Sequence, residues 1–281
     1  MKIHVCGSRG STPTPGRDFC RYGGHTSSIA ISRDDRPDLL LDAGTGIRRV
    51  TRLLGDRPFE GSILLGHLHW DHTHGLPFFA AGDRPDARVD LYIPEQDGTV
   101  EDTLATFMAP PHFPIGPTDL HGNWRFLHLP EGTHRIEGYE VTAREVPHKG
   151  GRTFGYRISD GHVTVAYLSD HHPTSFGAGP EGYGPYHEAA VTLAREADLL
   201  IHDAQYLDDE WPTRSHFGHS TPGYAIGLAR EAGARRLMMF HHDPARTDDD
   251  LDILATQWSK TEELNVITAM EGETIDVTVG G

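Results

Sequence analysis

Gly66-His67-Leu68-His69-Trp70-Asp71-His72-Thr73-His74-Gly75-Leu76-Pro77 is the stretch around which the rest of the chain is organised. It follows the apolar run Ile63–Leu65, which reads as a buried strand. Beyond that run the ligand-type residues fall at His-x-His-x-Asp-His spacing, with His74 just after. Side chains alternate across an extended segment, so His67 and His69 point the same way. Asp71 and His72, placed past the strand end, can turn toward a second point in space. Imidazole with carboxylate is the donor set of zinc or a similar divalent transition ion, and this spacing suits two neighbouring ions better than one. The competing reading is a solvated histidine-rich loop. A polar loop has no reason to follow a buried strand directly and to end in Gly-Leu-Pro-Phe-Phe.

At 281 residues with 37% hydrophobic content, the chain can bury a sizeable core. The formal net charge of −16 argues against a general polyanion binder, since such proteins carry a broad basic face. Two bound cations would still make one local spot positive. Cys6 and Cys20 are too few for a disulfide framework or a cysteine zinc site and read as packing residues or bystanders. No stretch has the length of a membrane span. The opening Met1-Lys2-Ile3-His4-Val5-Cys6 reads as a strand, so the cytoplasm is the expected location.

Strands are expected at Ile3–Cys6, Ser27–Ile31 and Leu39–Asp42, and a helix at Ile47–Leu54. Gly7-Ser8-Arg9-Gly10-Ser11-Thr12-Pro13 reads as a plain turn or, as the alternative, a backbone phosphate cradle; it lacks the lysine of a Walker loop. Asp42 ends a buried strand and suits either a helix cap or a carboxylate orienting a metal-bound histidine. A helix should begin at Leu76–Ala81, and Ala87–Ile93 should be a strand. Thr106–Trp124 is too proline-rich for regular structure, leaving lid, substrate wall or subunit contact open. Further strands are expected at Trp124–Leu129, Tyr139–Glu145, Thr153–Ile158, Val163–Leu168, Asn265–Thr268 and Thr274–Val279. Helices are expected at Tyr186–Glu196, Thr221–Ala232 and Asp248–Leu264. With no linker or composition shift, residues 1–281 read as a single domain of two facing sheets with helices outside.

Four later segments repeat one grammar, a strand end followed at once by a metal-type residue: His148 after Val146-Pro147, Asp170 after Leu168-Ser169, His202 after Ile201, and His241 after Phe240. His148, Asp170 and His241 read as metal ligands, whereas His202 suits a hydrogen-bonded core position equally well.

These residues, in this order, resemble the metallo-β-lactamase superfamily across nearly the whole chain. The resemblance implies an α/β (α+β) fold, a four-layer αββα sandwich, with a binuclear centre at one edge. Carried over by motif, His67, His69 and His148 would hold one ion, and Asp71, His72 and His241 the other, with Asp170 bridging and Asp42 supporting from behind. Asp71-His72-Thr73-His74-Gly75-Leu76-Pro77 is similar to the matching element of ribonuclease Z and its related phosphodiesterases. His202-Asp203-Ala204-Gln205 and Gly218-His219-Ser220-Thr221 resemble two further elements of that branch, and the glycine-rich opening resembles its PhnP-type group. That group more often carries asparagine where His25 stands. His74, His171, His172 and His242 neighbour ligands and read as supporting or solvent-facing.

The expectation is a metal-dependent phosphodiesterase acting on a small cyclic or diester phosphate. Two divalent ions, zinc foremost with manganese or iron as alternatives, would acidify a bridging water. His219, oriented by Asp203, would protonate the leaving alkoxide, and Asp71 is counted with the catalytic residues. Ribonuclease Z carries a long arm between its third-motif histidine and its bridging aspartate. Here only the segment 149–169 separates His148 from Asp170, which with the acidic charge argues against transfer RNA or another long nucleic acid as partner. A homodimer is the expected assembly. A thioester or lactone hydrolase, a transfer RNA 3′ processing endonuclease and a non-catalytic metal-binding regulator are the rival functions.

Overall fold

The computed structural model describes residues 1–55, 57–173 and 185–278. Three consecutive leucines set its layering. Leu39 and Leu41 enter a core shared by two sheets, while Leu40 faces the other way, onto helices. The first sheet contains β1 (Lys2–Gly7), β2 (Ser28–Ser32), β3 (Leu39–Leu41), β4 (Glu60–Leu64), β5 (Arg88–Pro94), β6 (Asn123–Leu129) and, at its other edge, β14 (Thr274–Asp276). The second contains β7 (Gly132–Ile136), β8 (Tyr139–Glu145), β9 (Phe154–Ser159), β10 (Thr164–Leu168), β11 (Leu199–Asp203), β12 (Arg236–Phe240) and β13 (Asn265–Thr268). The strand orders are β14-β1-β2-β3-β4-β5-β6 and β13-β12-β11-β10-β9-β8-β7.

Each sheet pairs its strands antiparallel up to β3 or β10 and parallel beyond. The two halves therefore share one pairing pattern, which no short sequence repeat announces. Ile3, Ile29 and Leu64 of the first sheet meet Tyr156, Val165, Ile201 and Phe240 of the second in the inner core. The outer face of the first sheet is covered by α1 (Arg48–Leu54) and α3 (Val100–Ala105) through Val50, Leu54 and Leu104. The outer face of the second is covered by α4 (Glu188–Ala194) and α6 (Pro222–Ala232) through Leu193, Ala225 and Leu228. Helix, sheet, sheet, helix is the expected αββα order. Thr221 caps α6 by accepting from the Tyr224 N–H, Pro222 occupies the first turn, and Gly233 ends the helix at φ 69°. A capping box between Thr247 and Asp250 starts α7 (Asp248–Trp258).

Several expectations need correction. Leu76–Ala81 does not open a helix; only a 3-10 turn forms at Leu76–Phe78, because Phe79 leaves helical geometry at φ −82°, ψ 79° to bury its ring. β7 escaped notice because Gly-Thr-His-Arg-Ile has one apolar residue. α3 lies just before the proline-rich segment, and α5 (Trp211–Arg214) is a single turn. α7 stops at Trp258 rather than Leu264, and Val279 of the last expected strand lies outside the described residues.

Candidate metal centre

β3, β4, β10, β11 and β12 end at one edge of the sandwich, and the residues just past those ends converge. His67, His69, His148 and Asp170 offer ligand atoms lying within 4.8 Å of one another, and so do Asp71, His72, Asp170 and His241. Asp170 belongs to both groups, and its two oxygens divide between them. Oδ2 stands 3.5 Å from His67 Nε2 and 3.4 Å from His148 Nε2, whereas Oδ1 stands 3.1 Å from His72 Nε2 and 3.2 Å from His241 Nε2.

These buried atoms are close but not aligned as hydrogen bonds. Both Asp170 oxygens, His67 Nε2 and His72 Nε2 lack a hydrogen-bond partner. Orphaned lone pairs buried at this density are costly unless a cation takes them. The donor set and its orphaned atoms fit two divalent ions.

The electrostatics describe the same charge demand. Burial pushes the Asp170 carboxyl up, but His241, His72, His67 and His148 outweigh it and hold it well below the usual range. Burial would lower His72, yet Asp170, Asp71 and Asp42 together raise it well above its ordinary value. Burial also opposes charge on His241, but Asp170 and the Asp71 hydrogen bond raise it to about 9. His148 has no such surplus of acid around it, and burial lowers it to about 4.

Supporting residues orient the His72 and His148 rings. Asp42, at φ 59°, accepts from the Gly66 N–H at 2.7 Å, from His72 Nδ1 at 2.7 Å and from the Tyr167 hydroxyl at 2.7 Å. These partners occupy its carboxylate, and the 3-10 turn that follows starts from Gly44 with no side-chain cap, so Asp42 is not a helix cap. With Nδ1 committed to Asp42, His72 presents Nε2. His148 Nδ1 lies 2.7 Å from the Gly218 carbonyl, leaving Nε2 inward, and His69 points Nδ1 toward His148 Nε2 at 3.3 Å. His241 leaves β12 at φ 59°, a strained conformation for a residue with a side chain, and reaches Asp71 Oδ2 at 3.0 Å.

His219 and Asp203 meet as expected, Nδ1 to Oδ2 at 3.0 Å, with His219 Nδ1 3.8 Å from Asp170. The opening onto the centre is lined by Ser11, Leu68, His69, Trp70, Asp71, Asp170 and His219. The remaining histidines separate. His202 is a core residue, fully buried with Nδ1 on the Asp203 carbonyl at 2.7 Å. His171 packs on Tyr224, His172 on Trp211 and His74 on Trp70, while His242 bonds the Ala269 carbonyl and His25 pairs with Glu271.

Sequence reasoning missed three contributors. Tyr167 lies on the inward face of β10, where a phenol must find a partner, and that requirement was a usable clue. Trp70 stood in the motif without a role. The glycine-rich loop is not a phosphate cradle: Arg9, Gly10 and Ser11 donate their N–H groups to His25 O, His242 O and Asp71 Oδ2.

The sequence model described as "Beta-lactamase superfamily domain" matches residues 38–242, and the chain belongs to this superfamily, as a hydrolase of the metallo-β-lactamase fold. Ribonuclease Z of Methanosarcina acetivorans is 30% identical over 310 aligned positions, spanning 96% of this chain and 95% of that protein. Among solved structures, the metallo-β-lactamase fold protein YhfI from Bacillus subtilis superposes with a TM-score of 0.72 at 19% identity, covering 98% of this chain and 99% of the other. A diphosphatase from the PhnP family superposes at 0.66 with 18% identity, over 99% of this chain and 98% of the other. Among the described residues no helix is long and apolar enough to cross a membrane.

Proposed function

We propose that the chain is a binuclear metal-dependent phosphodiesterase for a small cyclic or diester phosphate. The observation that carries this reading is Asp170, whose two oxygens face two separate ligand groups. His67, His69, His148 and Asp170 would hold one ion, and Asp71, His72, His241 and Asp170 the other, zinc being the ion this donor set suits. When bound, the ions supply Lewis acidity: charge neutralisation at phosphorus and a more acidic water. The whole chain then acts as one catalytic domain, since β4 and β12 build the same centre.

The protein's own groups do the rest. Asp42 and the Gly218 carbonyl keep His72 and His148 in the tautomer that faces the centre. The Ser11 N–H holds Asp71 Oδ2 at 2.7 Å. His219 has Nδ1 committed to Asp203, so Nε2 is the nitrogen that delivers a proton to the leaving alkoxide.

The rival, transfer RNA 3′ processing, draws on the name ribonuclease Z borne by relatives matched over almost their whole length. Against it stand the net charge of −16 and the direct hairpin of β9 (Phe154–Ser159) and β10 (Thr164–Leu168) in the place of a long arm. Metal titration of the apo protein combined with a turnover panel of phosphodiesters, phosphomonoesters, thioesters and lactones tests the proposal. Two equivalents per chain, loss of both in Asp170→Ala, and fastest turnover on a phosphodiester are expected. A single equivalent, or a lactone hydrolysed faster than any diester, would overturn it.

A further inference from the structure

We propose that Trp70 and the cavity beside it form a subsite for a planar aromatic group carried by the phosphate ester, a nucleobase or a simple aryl ring. This rests on the phosphodiesterase reading and names what the substrate carries besides phosphorus. Trp70 sits between His69 and Asp71 at the start of the four-residue helix α2 (Trp70–Thr73), yet its side chain is 66% exposed while Asp71 and His72 beside it are buried. It lines the opening of the centre and also an adjoining cavity of about 520 Å³, whose other walls include Leu68, His74, Phe107 and His112. Trp70 and Leu68 therefore border both spaces, and the indole is the aromatic surface they share, within reach of a ligand whose phosphorus lies at the centre.

The indole is held for stacking. Residues i and i+4 share one helix face, and the His74 ring lies against the Trp70 ring at 5.4 Å and 20°. A flat, fixed aromatic surface binds a second flat ring at little cost in side-chain freedom. The proline-rich segment supplies the opposite wall through Phe107 and His112, which continue into a second cavity of about 360 Å³ with Phe78 and Phe113. Of lid, wall and subunit contact, a wall is the role this placement supports.

Charge decides the side. The chain holds 41 aspartates and glutamates, yet among the described residues none lines either of these cavities, and Arg48 borders the second. On the other flank, a cavity of about 600 Å³ sharing His148 is lined by Glu131, Glu145 and Glu188 beside Arg144. An anionic diester is repelled from that flank and admitted on the Trp70 side.

The test measures, by calorimetry on the metal-loaded full chain, the affinities of adenosine 5′-monophosphate, phenyl phosphate and ribose 5-phosphate. At least one aromatic ester should bind more tightly than ribose 5-phosphate by roughly 5- to 150-fold, the range that base–aromatic stacking spans. Whether adenosine monophosphate or phenyl phosphate shows the gain identifies the source of the ring. Trp70→Ala should bring the ratio near one, and Trp70→Phe should keep most of it. Metal content is read alongside; if Trp70→Ala sheds metal, His112→Ala on the far wall carries the comparison and should cut the ratio several-fold. Equal affinity for all three esters overturns the proposal. So does a ratio that survives Trp70→Ala, or a change of association state with the ratio unmoved. None of this requires turnover, so a chain that hydrolyses no diester yet keeps the ratio refutes the phosphodiesterase reading and not the stacking subsite.

Discussion

His219 enters the site from the loop before α6 (Pro222–Ala232), not from a strand end, and Asp203 holds its ring by a hydrogen bond to Nδ1. The proposed role of His219 is proton donor, although with Asp203 and His241 it also forms a third group of ligand-type atoms within 4.8 Å of one another. An alkoxide leaves poorly near neutral pH, and general acid catalysis contributes about 10²–10⁴-fold. His219→Ala should therefore keep both metals and lose turnover on alkyl-leaving-group diesters by about that factor. A 4-nitrophenolate leaving group needs less protonation, so the loss there should be smaller. Metal content and kcat on both substrate types check this; equal losses would remove the proton-donor role. His202, by contrast, had the same sequence grammar as the ligands, and only its bond to the Asp203 carbonyl assigns it to the core.

The element that most constrains the second ligand group is the loop after β1 (Lys2–Gly7). Its Gly10 donates to the His242 carbonyl and passes so close to His241 that a Cβ there would stand 2.4 Å from Nδ1 and 2.6 Å from Gln205 Oε1. Glycine is needed for space at this crossing. Gly10→Ala should displace the His241 ring and weaken the ion held with Asp71 and His72. The His67, His69 and His148 group should stay intact. Loss of an orienting contact at a metal site typically costs 10–100-fold in affinity. Titration of the apo variant should show one equivalent unchanged and one weakened by about that factor; two unchanged equivalents would free the loop from this role.

Across the whole molecule, the centre joins chain segments from both sheets, so bound ions act as a staple between them. A ligand that binds only the folded state at 100 times its Kd adds about 2.7 kcal/mol. A chelator should lower Tm by several degrees, reversed on adding metal back, and an unchanged Tm would show that folding does not depend on the ions. Helix cover over the sheets was readable from the continuous apolar runs, because Leu39–Leu41 and Leu199–Ile201 are apolar on both faces and must be buried twice.

The candidate site residues Asp42, His67, His69, Asp71, His72, His148, Asp170 and His241 were picked out in the sequence by imidazole and carboxylate placed directly after apolar strands together with the motif resemblance, although His202 shares that placement and lies in the core. Their convergence could not be read from the sequence. Asp170 faces two groups only because β10 (Thr164–Leu168) lies opposite β4 (Glu60–Leu64) across the inner core, and no local pattern encodes that distance. Tyr167, Gly10 and Trp70 gained their roles the same way, through neighbours remote in the chain or cavities that exist only after folding. Period and residue type fix what a segment can do; which segments act together is decided by long-range packing, in which each side chain's partners come from elsewhere in the chain.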